Sequence, residues 1–198
     1  MAENKIELKS VRELLENEMN FFIPSYQRGY RWTEQQVEDL LDDINSFEPQ
    51  KNEGSNEQTW YCLQPLVVKQ NGNNYDVIDG QQRLTTIYIL LSYLGEKKPY
   101  NLGYETRSDR LKKISDKEES NTDNINLFYM RRAYTTIKNW FEGYIDKENK
   151  EVPAVFTGDK KDFLSKLKDR VKFIWYESIG EDPIAVFTRL NIGKISLT

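Results

Sequence analysis

The twelve residues Tyr75-Asp76-Val77-Ile78-Asp79-Gly80-Gln81-Gln82-Arg83-Leu84-Thr85-Thr86 bring a carboxylate, a glycine, two carboxamides, a guanidinium and two hydroxyls into one short stretch. That set suits an anion. Val77 and Ile78 read as a buried strand, Gly80 permits a tight turn or close backbone approach, and Leu84, Ile87, Leu90, Leu91 and Leu94 recur at helical spacing. A helix is therefore expected from about Gln81. Its unpaired first amides, the positive end of its dipole and Arg83 together favour a phosphate. The same pattern also fits an ordinary strand–glycine–helix junction in which Asp79 is only a cap.

A second chemically dense stretch is Ser25-Tyr26-Gln27-Arg28-Gly29-Tyr30-Arg31-Trp32. It mixes rings that stack with groups that donate hydrogen bonds, as a pocket-lining loop would. Its alternative is a surface turn with aromatics packed inward and arginines in water.

The elements that must position these stretches are legible by pattern. Ile6 and Leu8 suggest a short strand, and Ser10 with Glu13 is a capping-box signal for a helix carrying Val11, Leu14 and Leu15. Phe21-Phe22-Ile23 reads as a strand ended by Pro24. Thr33 and Gln36 form a second capping-box signal before the stripe Val37, Leu40, Leu41, Ile44 and Phe47. Thr59–Lys69 and Tyr75–Asp79 pair as a hairpin around Asn71-Gly72-Asn73-Asn74. Leu127, Met130, Tyr134, Ile137, Trp140, Phe141 and Tyr144 predict a helix of about six turns. A helix capped by Asp159, a strand over Val171–Tyr176 and a helix opening at Asp182-Pro183 follow. From Gly95 to Asn124 the chain is polar and predicts a long excursion or short surface helices.

Composition narrows the chemistry. The chain has 198 residues, 38% hydrophobic and 13% aromatic, enough for one substantial core despite a mean hydropathy of -0.76. It contains no histidine, which excludes Ser-His-Asp and Cys-His machinery and histidine-ligated metals within this chain. Its single cysteine, Cys62, excludes a disulfide and reads as a small core thiol. Chemistry here must run on carboxylates, guanidinium, amides, hydroxyls and an oxygen-ligated Mg²⁺. Net charge is -4, with residues 1–60 at -7 and 61–198 at +3, so any basic partner surface belongs to the second part. No apolar run is long enough for a membrane span and no signal peptide opens the chain, which predicts a cytoplasmic protein.

Three blocks stand together: Ile23-Pro24-Ser25-Tyr26-Gln27-Arg28-Gly29-Tyr30-Arg31-Trp32, Val77–Thr86 with Asp79-Gly80-Gln81-Gln82-Arg83 at its centre, and Phe187-Thr188-Arg189-Leu190-Asn191-Ile192-Gly193-Lys194. In order and spacing they resemble the GmrS-like N-terminal domain family of modification-dependent restriction and phage-defence proteins. The resemblance covers nearly the whole chain. It departs at Ile192-Gly193-Lys194, where the family pattern has a second small residue or glycine.

What the resemblance implies is an α/β (α+β) fold: a small mixed sheet of ParB/sulfiredoxin-like type, with a core over about 1–95 and 171–198 and a helical insertion over about 96–170. It also implies nucleotide binding and hydrolysis at the Asp-Gly-Gln-Gln-Arg block, controlling a nuclease supplied by a separate C-terminal His-Asn-His-type domain or subunit. Thr198 suits the cap of a further helix, so the chain is expected to be the N-terminal part of a longer protein.

Carried onto the residues, Asp79, Gln81, Gln82 and Arg83 are the expected catalytic set. The amides of Gly80 to Gln82 and the Arg83 side chain cradle the phosphates of a nucleoside triphosphate. Asp79 holds Mg²⁺ or orients water, Gln81 or Gln82 positions that water, and Thr85 or Thr86 adds a hydroxyl. Arg28, Arg31 and Arg189 supply further cations, Tyr26 or Trp32 stacks on a base, and Gln27, Asn191 and Lys194 complete the expected nucleotide contacts. Two rivals use the same groups: a non-hydrolytic module sensing modified DNA, or a ParB-like Mg-dependent nuclease.

Overall fold

The computed structural model describes residues 4–51, 58–97, 99–105, 125–180, 182 and 184–186. The chain opens with β1 (Lys5–Ser10), α1 (Val11–Glu16), β2 (Asn20–Ile23) and α2 (Glu34–Ser46). The hairpin β3 (Tyr61–Asn71) and β4 (Asn74–Asp79) leads into α3 (Gln81–Tyr93), followed by β5 (Asn101–Tyr104) and α4 (Ile125–Glu142). The small pair β6 (Tyr144–Ile145) and β7 (Glu151–Val152), then α5 (Lys160–Arg170) and β8 (Val171–Glu177), complete the main elements.

Six strands form one mixed sheet in the order β1-β8-β3-β4-β2-β5, which makes the fold α/β. β1 and β8 are antiparallel, as are β3 and β4; β8 with β3, β4 with β2 and β2 with β5 run parallel. Alternation along each strand gives the sheet two different faces. Leu66, Val68, Val77, Phe173 and Trp175 point into the main core with the helices, whereas Val67, Ile78 and Tyr176 meet Val186 on the reverse side.

Both capping boxes form as their residue types dictate. Ser10 accepts from the Glu13 amide at 3.2 Å while Glu13 accepts from the Ser10 amide at 2.7 Å. Thr33 and Gln36 make the equivalent exchange at the start of α2. α4 spans 18 residues and stops before Gly143, whose left-handed φ of 71° turns the chain so that Tyr144 joins β6 instead of extending the helix.

Three expectations change. Residues 96–170, read as an insertion outside the core, contribute β5 to the sheet and Met130, Ile137 and Trp140 to the main core. The pattern missed β5 because four residues are too few to show a period. Cys62, expected inside, is exposed: its neighbour Leu63 takes the core-facing position, so alternation turns the thiol outward. Finally, α3 is more than amphipathic. From Gln81 to Leu91 every residue except Arg83 is buried, because the helix lies against both the sheet and α4.

Candidate phosphate-binding junction

β4 ends at Asp79, and Gly80 is the N-cap of α3. Gly80 sits at φ 95°, in the left-handed region that glycine enters without a steric cost. A Cβ there would lie 3.0 Å from the Leu66 side chain and from the Pro65 carbonyl, so close packing demands glycine as well. No side chain caps α3, and its first turn holds no acid. The first intrahelical bond runs from the Leu84 amide to the Gly80 carbonyl at 3.0 Å, which leaves the amides before Leu84 without partners inside the helix.

The third helical position carries Arg83, whose positive charge faces the positive end of the dipole. Burial lowers its pKa from the ordinary value, with Asp79 the leading opposing influence. The guanidinium is therefore partly stripped of water and lies near one carboxylate. Its Nη2 donates to the Gln64 Oε1 on β3.

The loop after β2 is clasped onto this junction by two glutamines. Gln82 accepts from the Arg31 amide at 2.8 Å and donates to the Gly29 carbonyl at 3.0 Å, so both ends of its carboxamide are used. Gln27 is buried and donates to the carbonyls of Val77, at 3.0 Å, and Ile78. Its Oε1 is also buried and has no hydrogen-bond partner among the described residues. Gly29 presses against α4: a Cβ there would lie 1.8 Å from the Asn126 Oδ1.

The other expected site residues divide sharply. Thr85 and Thr86 are fully buried; Thr85 bonds to the Gln81 carbonyl and the Tyr104 hydroxyl, and Thr86 to the Gln82 carbonyl and the Tyr30 hydroxyl. Their hydroxyls brace the helix from within. Burial pushes the Tyr30 phenol far above its ordinary range, which keeps it a neutral hydrogen-bonding group. Gln81 is buried and makes no side-chain hydrogen bond among the described residues.

Arg31 turns toward α4, where it donates to Asn126 at 2.5 Å and lies 5.3 Å from the centre of the Tyr129 ring. Arg31 and Arg83 thus engage different elements. Arg28 is exposed and makes no side-chain hydrogen bond among the described residues. Tyr26 is 37% exposed, and its phenol is raised by burial and then by Asp76, Asp182 and Glu105. Trp32 is half-buried and packs on the main core. Arg189, Asn191 and Lys194 lie outside the described residues.

Sequence reasoning missed Gln64, the one described side chain that touches the Arg83 guanidinium by a hydrogen bond. The signal available was Gln64-Pro65 inside an otherwise apolar strand, since proline in a strand marks an edge or a bulge.

A family model for the N-terminal domain of the GmrSD restriction endonuclease matches residues 11–198. The chain belongs to this family. Its Asp-Gly-Gln-Gln-Arg segment lies within that match, at the junction just described, and the family is one of restriction proteins. No curated protein matches the chain. Among the described residues no helix is long and apolar enough to cross a membrane.

Proposed function

We propose that this GmrSD N-terminal domain binds a nucleoside triphosphate with its phosphates at the start of α3 and hydrolyses it. In this reading it is the nucleotide-dependent regulatory unit of a DNA-restricting protein whose nuclease is a separate His-Asn-His-type domain or subunit. The carrying observation is the combination at one turn of an uncapped, glycine-led helix and a half-buried arginine at its third position. Without an anion, that turn sets like charges together and leaves its first amides without partners inside the helix; a phosphate answers both.

Each chain residue then has a physical task. The amides of Gly80 to Gln82 hold phosphate oxygens, and Arg83 offsets the charge that grows on the transferred phosphoryl group. Gln81, with its carboxamide uncommitted, orients the attacking water, while Gln82 keeps the 29–31 loop in place. Gln27 offers its unused Oε1 to a ligand hydroxyl or amine. Tyr26 supplies a partly exposed ring for a base, and Arg28 an exposed cation. One carboxylate, Asp79, fits a Mg²⁺ carried in by the nucleotide, because Mg²⁺ at phosphates keeps several waters and needs only one or two protein carboxylates. Such an ion would neutralise phosphate charge.

The test is a thermal-shift panel with ATP, GTP, CTP and UTP, with and without Mg²⁺, on the wild type and Arg83→Ala, followed by phosphate-release assays. Ligand at about a hundred times its dissociation constant stabilises the fold by about 2.7 kcal/mol. A shift with at least one nucleotide that Arg83→Ala abolishes, and turnover lost in Asp79→Asn, are expected. No shift with any nucleotide would defeat the reading and favour direct sensing of modified DNA, recognisable by a steep fall in affinity with salt.

A further inference from the structure

β3 is irregular at two places, against β4 at Val67–Val68 and against β8 at Cys62–Pro65, and the second lies beside Arg83. Between Cys62 and Pro65 the pairing with β8 shifts: Cys62 opposes Lys172 and Pro65 opposes Ile174, so β3 carries one residue more than its partner. That extra residue accompanies a φ of 66° at Gln64, a left-handed conformation inside a strand for a residue with a Cβ. The bulge lets Leu63 and Leu66 both reach the main core, and it sets the Pro65 carbonyl and Leu66 against Gly80. The same bulge turns Gln64 so that its Oε1 accepts from the Arg83 Nη2. Glycine would meet the backbone requirement at position 64 without strain, yet the chain carries a long carboxamide there.

The choice of carboxamide is chemically specific. A guanidinium has five N–H donors, and one neutral carbonyl satisfies one of them while leaving the charge intact. A carboxylate at the same place would hold the guanidinium more tightly but cancel the charge an anion needs.

We propose that Gln64 is a positioning residue for Arg83: the β3 bulge holds its amide where it fixes the guanidinium beside the first turn of α3 and leaves the positive charge available to phosphate. This rests on the phosphate reading of the junction. The experiment compares wild type, Gln64→Gly, Gln64→Glu and Arg83→Ala by two readouts. One is solvent exchange of the Arg83 Nη2–H by NMR without ligand, and the other is the affinity for each nucleotide with Mg²⁺.

Gln64→Gly is expected to melt at or above the wild-type temperature, to exchange the Arg83 N–H faster, and to bind nucleotide about fivefold more weakly, the equivalent of one ordinary hydrogen bond. Gln64→Glu is expected to keep that N–H protected yet bind about tenfold more weakly or worse, because the charge is cancelled. If Arg83→Ala abolishes binding but both Gln64 variants bind within about twofold of wild type, a difference smaller than one hydrogen bond, the phosphate site stands and the role of Gln64 is overturned. Unchanged exchange in Gln64→Gly overturns it too. If the wild type binds no nucleotide, the phosphate reading falls and takes this proposal with it.

Discussion

α2 and α3 are both 13 residues long, and both begin at the edge of the region that holds the candidate site, but their first turns are built on opposite terms. α2 answers its own amides: Thr33 and Gln36 exchange hydrogen bonds, and Glu34 places an acid in the first turn, where it pairs with Arg132 at 2.9 Å. α3 opens on a left-handed glycine with no side-chain cap and carries Arg83 where α2 carries Gln36. One helix has its positive end answered by its own side chains; the other, among the described residues, has no side-chain cap. Elements of the same length and secondary structure can therefore differ in the chemistry of their first four positions alone.

The contrast can be pressed hardest at Gly80. Gly80→Ala forces a Cβ into a left-handed residue and against Leu66 and Pro65, so it should cost about 2–4 kcal/mol in urea unfolding. A loss below about 1 kcal/mol would mean that the junction relaxes easily and is not a rigid cradle. Thr33→Ala should cost about 1 kcal/mol, the usual worth of an N-cap, with no effect on nucleotide binding. An equal loss of binding would erase the distinction between the two helix starts.

The smallest effect concerns α1, whose capping box uses a carboxylate. Burial by itself would raise Glu13, but hydrogen bonds from the Ser10 amide and hydroxyl outweigh it and hold its pKa below the ordinary 4.5. A depressed carboxylate contributes stability that is present above 4.5 and disappears as pH falls through its folded value. Glu13→Gln should therefore lower the melting temperature slightly at neutral pH and converge with wild type in acid. Parallel curves at all pH values would remove ionised Glu13 from the cap.

What could be read from the sequence was what is local. Both capping boxes, the β3–β4 hairpin and the strand-to-helix handover at Gly80 depend on residues a few positions apart, and the spacing displayed them. The clasp of Gln82 onto Gly29 and Arg31 spans about fifty residues, and the capture of Arg31 by Asn126 spans 95. No periodicity records such meetings, and the spacing could not display that Arg31 donates to Asn126 on α4 and Arg83 to Gln64 on β3. Thr85 and Thr86 looked like available hydroxyls for a related reason: only the packing of Tyr30 and Tyr104 shows that they are already engaged. The outward turn of Cys62 and the bulge at Gln64 belong to the same class, since both follow from how β3 meets β8.

The sheet order also imposes a schedule on the newborn chain. β1 has its described partner in β8, far along the chain, where Lys5 pairs with Glu177. At synthesis rates of about 5–20 residues per second, β1 waits roughly ten to thirty seconds for that partner. β3 waits as well, because β8 lies between it and β1. Until β8 arrives, the β3–β4 hairpin has an open edge able to pair with another nascent chain. A product halted before Val171 should therefore be drawn to chaperones or aggregates, while one that includes Glu177 can seat β8 between β1 and β3.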